Sequence, residues 1–215
     1  NVYNFGENQS YSQLSIPPSD GMLYEHSISI NSSGTVIALH NGEVVRVFQK
    51  TNNTWEQLGE DISISVYKYR NIVNLSSDGL TFIASAGFDT NEDGDVYDSG
   101  ESGARVFTFE NGNWIQIGQD IIFAKKDVYD IELDSDGKMF AIAESDQRTT
   151  ESNYVNVYKL INGDWNHTLA FHNEELKIDS NASFSAWISL NSGILHFMYK
   201  IGSNGNALIF LSDVK

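Results

Sequence analysis

The chain has 215 residues and a formal net charge of −16, from 29 acidic against 13 basic side chains. It contains no Cys, which excludes disulfide scaffolds, Cys-ligated zinc and thiol catalysis. The negative charge would repel DNA, RNA and anionic membrane surfaces, and no run approaches the roughly 18 apolar residues that span a bilayer. Composition therefore predicts a folded acidic domain without a nucleic-acid partner and without membrane insertion.

The first predicted elements are two strands within residues 2–16. Residues 2–5 resemble the third strand of a repeat unit, and residues 7–14 form a polar turn followed by a fourth strand, with Tyr11 where Trp stands in the later units. The same pair of strands recurs later in the chain. Because the chain begins with Asn1 rather than Met, we expect either a cleaved leader or a piece of a longer protein.

Four repeat units follow, roughly at residues 24–62, 71–121, 128–171 and 183–211. Each begins with a strand, a turn rich in Ser and Asp, and an apolar strand. The turn glycines are Gly34, Gly79, Gly137 and Gly193. In the first three units a third strand and an Asn-rich turn come next, and then a fourth strand that contains a Trp. These tryptophans are Trp55, Trp114 and Trp165.

The unit length indicates the fold class. Gly and Asn tolerate positive φ and therefore favour hairpins, and four short strands per unit of about 45–60 residues are typical of propeller blades. We predict an all-β chain, one β-propeller domain at residues 1–215 with about four four-stranded antiparallel blades. We expect residues 11–16 to pair with the blade that ends near Phe210. Residues 2–5 and 206–211 both have the pattern of a third strand, so either the ring closes within this chain or the blades belong to a larger array.

A longer motif, Trp-x-Gln-x-Gly-x-Asp-Ile, occurs at residues 55–62 and 114–121, and the Ser-x-Asp-Gly turn occurs at residues 76–79. Together they resemble propeller-like repeats of bacterial and algal extracellular proteins. The resemblance covers most of residues 24–171. It implies a secreted or cell-surface location and supplies no catalytic residues. The turns differ from the Asp box of sialidases, because Trp55 and Trp114 do not follow them.

An acidic segment between two strands of the second unit predicts a metal site. It matches the start of a calcium loop, with oxygen side chains at the first, third and fifth positions and Gly94 at the sixth. The twelfth position is Gly100, which argues against a helix-flanked site and favours a calcium loop inserted between two strands. The alternative is a solvated acidic hairpin loop. The candidate ligands are Asp89, Asn91, Asp93, Asp95, Asp98 and Glu101.

The sequence contains no zinc-protease, nucleophile-elbow or phosphate-loop motif, so it predicts no catalytic residues. Arg46 and Arg105 occupy one repeat position, which predicts a packing role. The repeated tryptophans are also expected to pack between blades rather than to stack on sugars.

We therefore predict a non-catalytic extracellular binding or structural module with a calcium-stabilised loop and a protein or glycan partner. One alternative is a calcium-dependent hydrolase of glycans or phosphoesters, which would need charged side chains from several blades at one mouth of the channel. Another is a subunit of an extracellular filament or appendage that associates with itself through an open blade edge.

Overall fold

The computed structural model describes residues 27–64, 71–88, 92–93, 102–123, 127–145, 153–172, 186–191, 194–201 and 206–213. Every regular element within these ranges is a β-strand, and all strand pairs are antiparallel. The all-β prediction is confirmed for this part of the chain. The strands predicted within residues 2–16 lie outside the described residues.

The strands form four sheets in chain order. The first contains β1 (Ser27–Ile30), β2 (Val36–His40), β3 (Val44–Thr51), β4 (Thr54–Gln57) and β5 (Ile62–Ser63). The second contains β6 (Val73–Leu75), β7 (Thr81–Gly87), β8 (Ser102–Glu110), β9 (Asn113–Gln116) and β10 (Ile121–Ile122). The third contains β11 (Asp127–Leu133), β12 (Met139–Ser145), β13 (Asn153–Ile161) and β14 (Asp164–His172). The fourth contains β15 (Ala186–Asn191), β16 (Ile194–Ile201) and β17 (Asn206–Asp213).

The turns have the predicted chemistry. Gly34, Gly79 and Gly137 have φ values of +69°, +78° and +70° in the turns between the first and second strands of their sheets. In the hairpins between third and fourth strands, Asn111 and Gly112 have φ values of 52° and 86°. Positive φ at both central positions is the geometry of the tight turns that match strand twist.

The fourth strand of the first two sheets is divided, which the sequence pattern did not predict. In the first sheet β4 and β5 both pair with β3, on the same edge. Residues 58–61 belong to neither strand, although the N–H of Leu58 still donates to the carbonyl of Val47 on β3 at 2.8 Å. Gly59 has a φ of +76°. Residues 117–120 are arranged in the same way in the second sheet, with Gly118 at +72°. We call these two segments the outer excursions. In the third sheet β14 continues without such a division.

Apolar cores lie between neighbouring sheets. One core joins Val36, Ala38 and Val45 of the first sheet to Val73, Leu75 and Phe82 of the second. The next core joins the opposite face of the second sheet, through Ile83 and Val106, to Ile131 and Phe140 of the third. The alternating strand pattern explains this arrangement, because successive side chains point to opposite faces of a sheet.

The turns of neighbouring sheets also touch. The backbone N–H of Ser32 donates to the carbonyl of Ser77 at 3.3 Å. The N–H of Ser77 donates to the carbonyl of Ser135 at 3.0 Å. The approach is close, since a Cβ on Gly79 would lie 2.6 Å from the Cβ of Val36. Gly79 is therefore required both for its φ and for sheet packing.

In the fourth sheet the strand order follows the first three strands of the other sheets. Phe197 of β16 pairs with Phe210 of β17, as Ile37 pairs with Phe48 in the first sheet. β15 packs against β11 and β12 of the third sheet. A fourth strand for this sheet is not among the described residues.

Candidate functional site

Two of the repeated tryptophans, Trp114 and Trp165, dock on the preceding sheet. Nε1 of Trp114 donates to the carbonyl of Leu58 at 2.7 Å, and Nε1 of Trp165 donates to that of Ile117 at 2.8 Å. Both acceptors lie in the outer excursions. A Cβ on Gly59 would lie 2.8 Å from Cδ1 of Trp114, so the indole packs directly against the backbone of this glycine. The predicted packing between blades is confirmed for these two residues.

Aromatic neighbours hold each indole in place. Trp114 lies against Phe82 and Phe109, with ring centroids 4.9 and 5.1 Å apart. Trp165 lies 4.8 Å from Phe140 and is 3% exposed. Sugar stacking would require an exposed ring face, which the buried Trp165 does not present.

A side chain from the second outer excursion adds to the Trp165 contact. The Gln119 amide donates to the backbone carbonyl of Trp165 at 2.6 Å and accepts from its N–H at 2.9 Å. Gln119 thus pairs with the start of β14 as a neighbouring strand would. Sequence reasoning did not find this contact, because the first sheet has Glu60 at the same repeat position.

The repeated arginines are structural. Arg46 forms a two-pronged ion pair with Asp61 at 2.6–2.9 Å, and Gln57 donates to the same carboxylate at 2.9 Å. Arg105 and Asp120 repeat the pair at 2.8 Å. Hydrogen bonding from the arginine holds the pKa of each Asp below its usual range, although partial burial acts in the opposite direction. Each pair fastens an outer excursion to the third strand of its sheet.

The third sheet replaces this pair with a different polar group. Asn156 stands where the arginines stand, donates to the buried Glu144 at 2.8 Å, and lies 3.0 Å from Nε2 of His167. Tyr158 packs edge-on against His167 at 5.2 Å. Burial, followed by the charge of Glu144, raises the pKa of Tyr158 to about 12. This group of polar side chains extends from the exposed His167 through Asn156 to the buried Glu144.

A second polar group lies on the first strands of the sheets. Ser27 and Ser29 of β1 accept from the backbone N–H groups of Val73 and Leu75 at 3.2 and 3.0 Å. One sheet further on, Asn74 accepts from the N–H of Leu133 at 2.9 Å and donates to Glu132 at 3.2 Å. These side chains join neighbouring first strands that have no backbone ladder between them.

Glu132 is a carboxyl group whose pKa is strongly raised by its surroundings. Its burial, together with the charge of nearby Asp130, raises its pKa to about 7, and the hydrogen bond from Asn74 opposes that shift only in part. The group therefore gains or loses a proton near neutral pH. Sequence reasoning missed Glu132, because its partner Asn74 is 58 residues away.

Of the predicted calcium ligands, only Asp93 is described, and its side chain is exposed. The preceding Glu92 has a φ of 61°. The remaining candidates lie outside the described residues and stay a prediction: Asp89, Asn91, Asp95, Asp98 and Glu101. The strands that flank the segment pair directly, with Gly87 opposite Ser102. Within the described ranges, no three His, Asp or Glu side chains are grouped so that they could hold a metal ion.

His40 is fully buried in the first sheet. Its Nδ1 accepts from the N–H of Gly42 at 2.9 Å, and its Nε2 lies 3.1 Å from the carbonyl of Ser85 in the second sheet. This arrangement requires the neutral tautomer with the proton on Nε2. His40 is a sheet-to-sheet contact.

The stacked antiparallel sheets, the repeated turns and the tryptophan docking define a propeller-like repeat module. No family model and no curated protein matches the sequence, and the part of the chain that the structure describes contains no helix able to cross a membrane.

Solved structures show the same fold. A prolyl endopeptidase matches with a TM-score of 0.57 and 15% identity, over 97% of this chain and 30% of that one. Hydrazine synthase of Kuenenia stuttgartiensis matches with a TM-score of 0.55 and 11% identity, over 88% of this chain and 51% of that one. A TolB-like protein of Agrobacterium tumefaciens matches with a TM-score of 0.51 and 10% identity, over 90% of this chain and 60% of that one. This chain thus spans about a third to three fifths of these chains, and at such identities the likeness shows the fold alone.

Proposed function

We propose that this chain is a binding or structural propeller module of an extracellular protein, with a calcium-stabilised loop at residues 89–101. The observation that carries the proposal is the position of the acidic segment. It connects β7 to β8 across the Gly87–Ser102 pair, where the first sheet needs only residues 41–43. Six acidic side chains within residues 89–101 repel one another unless a cation is bound, and calcium accepts six to eight oxygen ligands.

Loop lengths support a binding role at the same end of the sheets. Within the sheets, the connections between second and third strands vary most in length: residues 41–43, 88–101, 146–152 and 202–205. The repeated Arg, Trp and Gly residues serve the packing between strands and sheets. Variable loops on a rigid scaffold commonly carry recognition, and a protein or glycan is the expected partner.

The extracellular location is part of the proposal. Calcium sites of extracellular modules bind in the range of roughly 10⁻⁴–10⁻³ M, and such a loop would be filled in an extracellular fluid. The resemblance of the Trp-x-Gln-x-Gly repeats to surface proteins supports the same location.

Calcium binding is tested by thermal unfolding of the full chain with millimolar calcium or with chelator. We expect calcium to raise the melting temperature, because a ligand at a hundredfold excess over its dissociation constant stabilises by about 2.7 kcal/mol. Asp93→Ala should abolish the rise, and the exposed Glu110→Ala should retain it. Calorimetry that shows no calcium uptake by the parent chain would contradict the calcium site and support the alternative, a solvated acidic loop.

A calcium-dependent hydrolase is the second candidate, and Glu132 is the observation that favours it. A carboxyl with a pKa of about 7 suits general acid–base catalysis, and Asp130 lies on the same strand. Incubation with glycan and phosphoester libraries separates the two functions. Binding without turnover supports the module, whereas turnover that Glu132→Gln eliminates supports the hydrolase.

A further inference from the structure

The first sheet has a tryptophan whose hydrogen-bond partner is not among the described residues. Trp55 occupies the repeat position of Trp114 and Trp165, yet its buried Nε1 has no acceptor within the described part of the chain. Lys50 lies opposite Trp55 on β3, with Nζ 5.9 Å from the indole centroid. Its Nζ is also buried and without a partner there. Two unmet donors side by side indicate a surface built to receive acceptors, because leaving buried donors unpaired is costly.

The apolar part of the same face is exposed. Ile28 and Ile30 are 60% and 54% exposed. In the second sheet the matching residues are Val73 and Leu75, which are 3% and 7% exposed because the first sheet covers them. The face formed by Ile28, Ile30, Lys50 and Trp55, called here the leading face, therefore has the composition of a sheet-to-sheet surface.

We propose that residues 11–16 of the same chain dock on the outer end of the leading face. In this arrangement the Leu14 carbonyl accepts from Nε1 of Trp55, as the Leu58 carbonyl accepts from Trp114. Residues 11–15 match the start of the Trp-x-Gln-x-Gly motif, with Tyr11 in place of Trp, Gln13 in the Gln position and Leu14 in the position of Leu58.

The length of the chain supports docking within one molecule. The docking residue precedes one equivalent repeat position of the next sheet by nearly the same number of residues in each case. Leu58 precedes Ile72 by 14 residues, Ile117 precedes Asp130 by 13, and Leu14 precedes Ser27 by 13. Ile72, Asp130 and Ser27 each lie seven residues before a turn glycine. A connection of this length already spans the distance twice in this molecule.

Two departures from the repeat compensate each other. Ser15 stands where Gly59 and Gly118 stand, and Lys50 stands where Phe109 stands. In the second sheet, Cε2 of Phe109 lies 3.1 Å from the position of a Cβ on Gly59. The corresponding pair at the leading face is a Ser hydroxyl and a Lys ammonium, so Ser15 supplies the acceptor that Lys50 needs. The added Cβ requires the segment to lie slightly further from the indole than Gly59 does.

Cross-linking in the full chain tests the placement. The chain has no Cys, so Ser15→Cys with Lys50→Cys introduces the two thiols alone. We expect a short thiol cross-linker to join them within one monomer, and Ser15→Cys with Lys159→Cys, on the third sheet, to remain unlinked. Cross-linking only between two monomers would overturn docking within the chain, and equal cross-linking in both variants would overturn the placement.

Indole hydrogen exchange tests the hydrogen bond. We expect slow exchange at Trp55 in the parent, comparable to Trp114 and Trp165, with the signal assigned from its loss in Trp55→Phe. Leu14→Asp should speed exchange at Trp55 at least tenfold and leave the other two indoles protected. Fast exchange at Trp55 in the parent, or exchange unchanged by Leu14→Asp, would overturn the proposal. If Leu14→Asp unfolds the chain, the cross-linking experiment, which does not use this substitution, still tests the placement of residues 11–16.

Discussion

At the residue scale, the glycines of the outer excursions serve two purposes. Gly59 has a positive φ, which disfavours other residues, and its missing Cβ makes room for Trp114. Gly112 has a positive φ as well, but nothing lies within 4 Å of a Cβ built there. Substitutions at Gly112 and Gly59 therefore distinguish the cost of backbone strain from the additional cost of a steric clash with the docked indole.

We expect Gly112→Ala to cost about 1–2 kcal/mol, the penalty of a left-handed conformation. Gly59→Ala should cost a further 1–3 kcal/mol or so, because its methyl group would displace the indole. Urea unfolding of both variants measures the difference. Equal losses would contradict docking of the ring on bare backbone.

The raised pKa of Glu132 predicts that the stability of the fold depends on pH. Its folded pKa of about 7 lies above the ordinary 4.5, so the folded state retains a proton that the unfolded chain loses between those values. The stabilisation from this protonation is fully present below about pH 4.5 and is lost as pH rises through 7.

Glu132→Gln should remove this dependence while keeping an oxygen that accepts from Asn74. We expect the variant to be more stable than the parent by roughly 1–3 kcal/mol at pH 8 and similar to it near pH 4.5. Denaturant unfolding across this range measures the effect, with the exposed Glu110→Gln as the control. Parallel curves for parent and variant would contradict the shifted pKa.

At the scale of elements, the divided fourth strand is what allows neighbouring sheets to join. The excursions at residues 58–61 and 117–120 turn a carbonyl towards the next sheet, and the Arg–Asp pairs hold them against the third strand. The third sheet has neither an excursion nor an arginine at this position, and its β14 is a single strand with one register shift in its pairing with β13. Ion pair and excursion thus occur together in two sheets and are both absent from the third.

Asp120→Asn should loosen the second excursion. The pair is partly exposed, so we expect a loss of only about 0.2–1 kcal/mol, smaller at high salt. Because the folded pKa of Asp120 is lowered, its contribution is present above the ordinary value of 3.8 and lost as pH falls below it.

Thermal unfolding at pH 7 and at pH 3 measures this change. The difference between parent and Asp120→Asn should narrow at the lower pH. Asp164→Asn, at the exposed start of β14 and without an ion pair in the described structure, is the matched control. A difference that grows as pH falls would contradict the assigned role.

At the scale of the whole molecule, stability should depend mainly on contacts between neighbouring sheets. The two cores each join one pair of sheets, and the turn hydrogen bonds join the same pairs. Repeat arrays of this kind behave approximately as a sum of unit and nearest-neighbour terms. A defect at one interface should therefore weaken the sheets on both sides of it more than a distant sheet.

Trp114→Ala should cost about 3–5 kcal/mol, the usual loss for an emptied aromatic site. Backbone hydrogen exchange should accelerate in the first two sheets and least in the third. Ile115→Ala, at the exposed neighbouring position, should stay within about 0.5 kcal/mol of the parent. A uniform loss of protection in all sheets would contradict nearest-neighbour coupling.

The sequence alone predicted the features that depend on local chemistry. Alternating apolar residues identified the strands, the positive-φ positions Gly34, Gly79 and Gly137 identified the turns, and the repetition of Trp114 and Arg105 indicated packing roles. These features are readable because each depends on side-chain period or on the φ that a residue tolerates, within a few neighbouring positions.

Tertiary structure alone decided which groups meet across the sheets. The indole of Trp114 reaches a carbonyl 56 residues away, Glu132 meets Asn74 across 58 residues, and Gln119 pairs with the backbone of Trp165. No local pattern encodes such contacts, because they depend on the register between sheets, and that register follows from the packing of all their apolar faces together. The raised pKa of Glu132 has the same origin, since burial of a carboxyl group is a property of the assembled sheets.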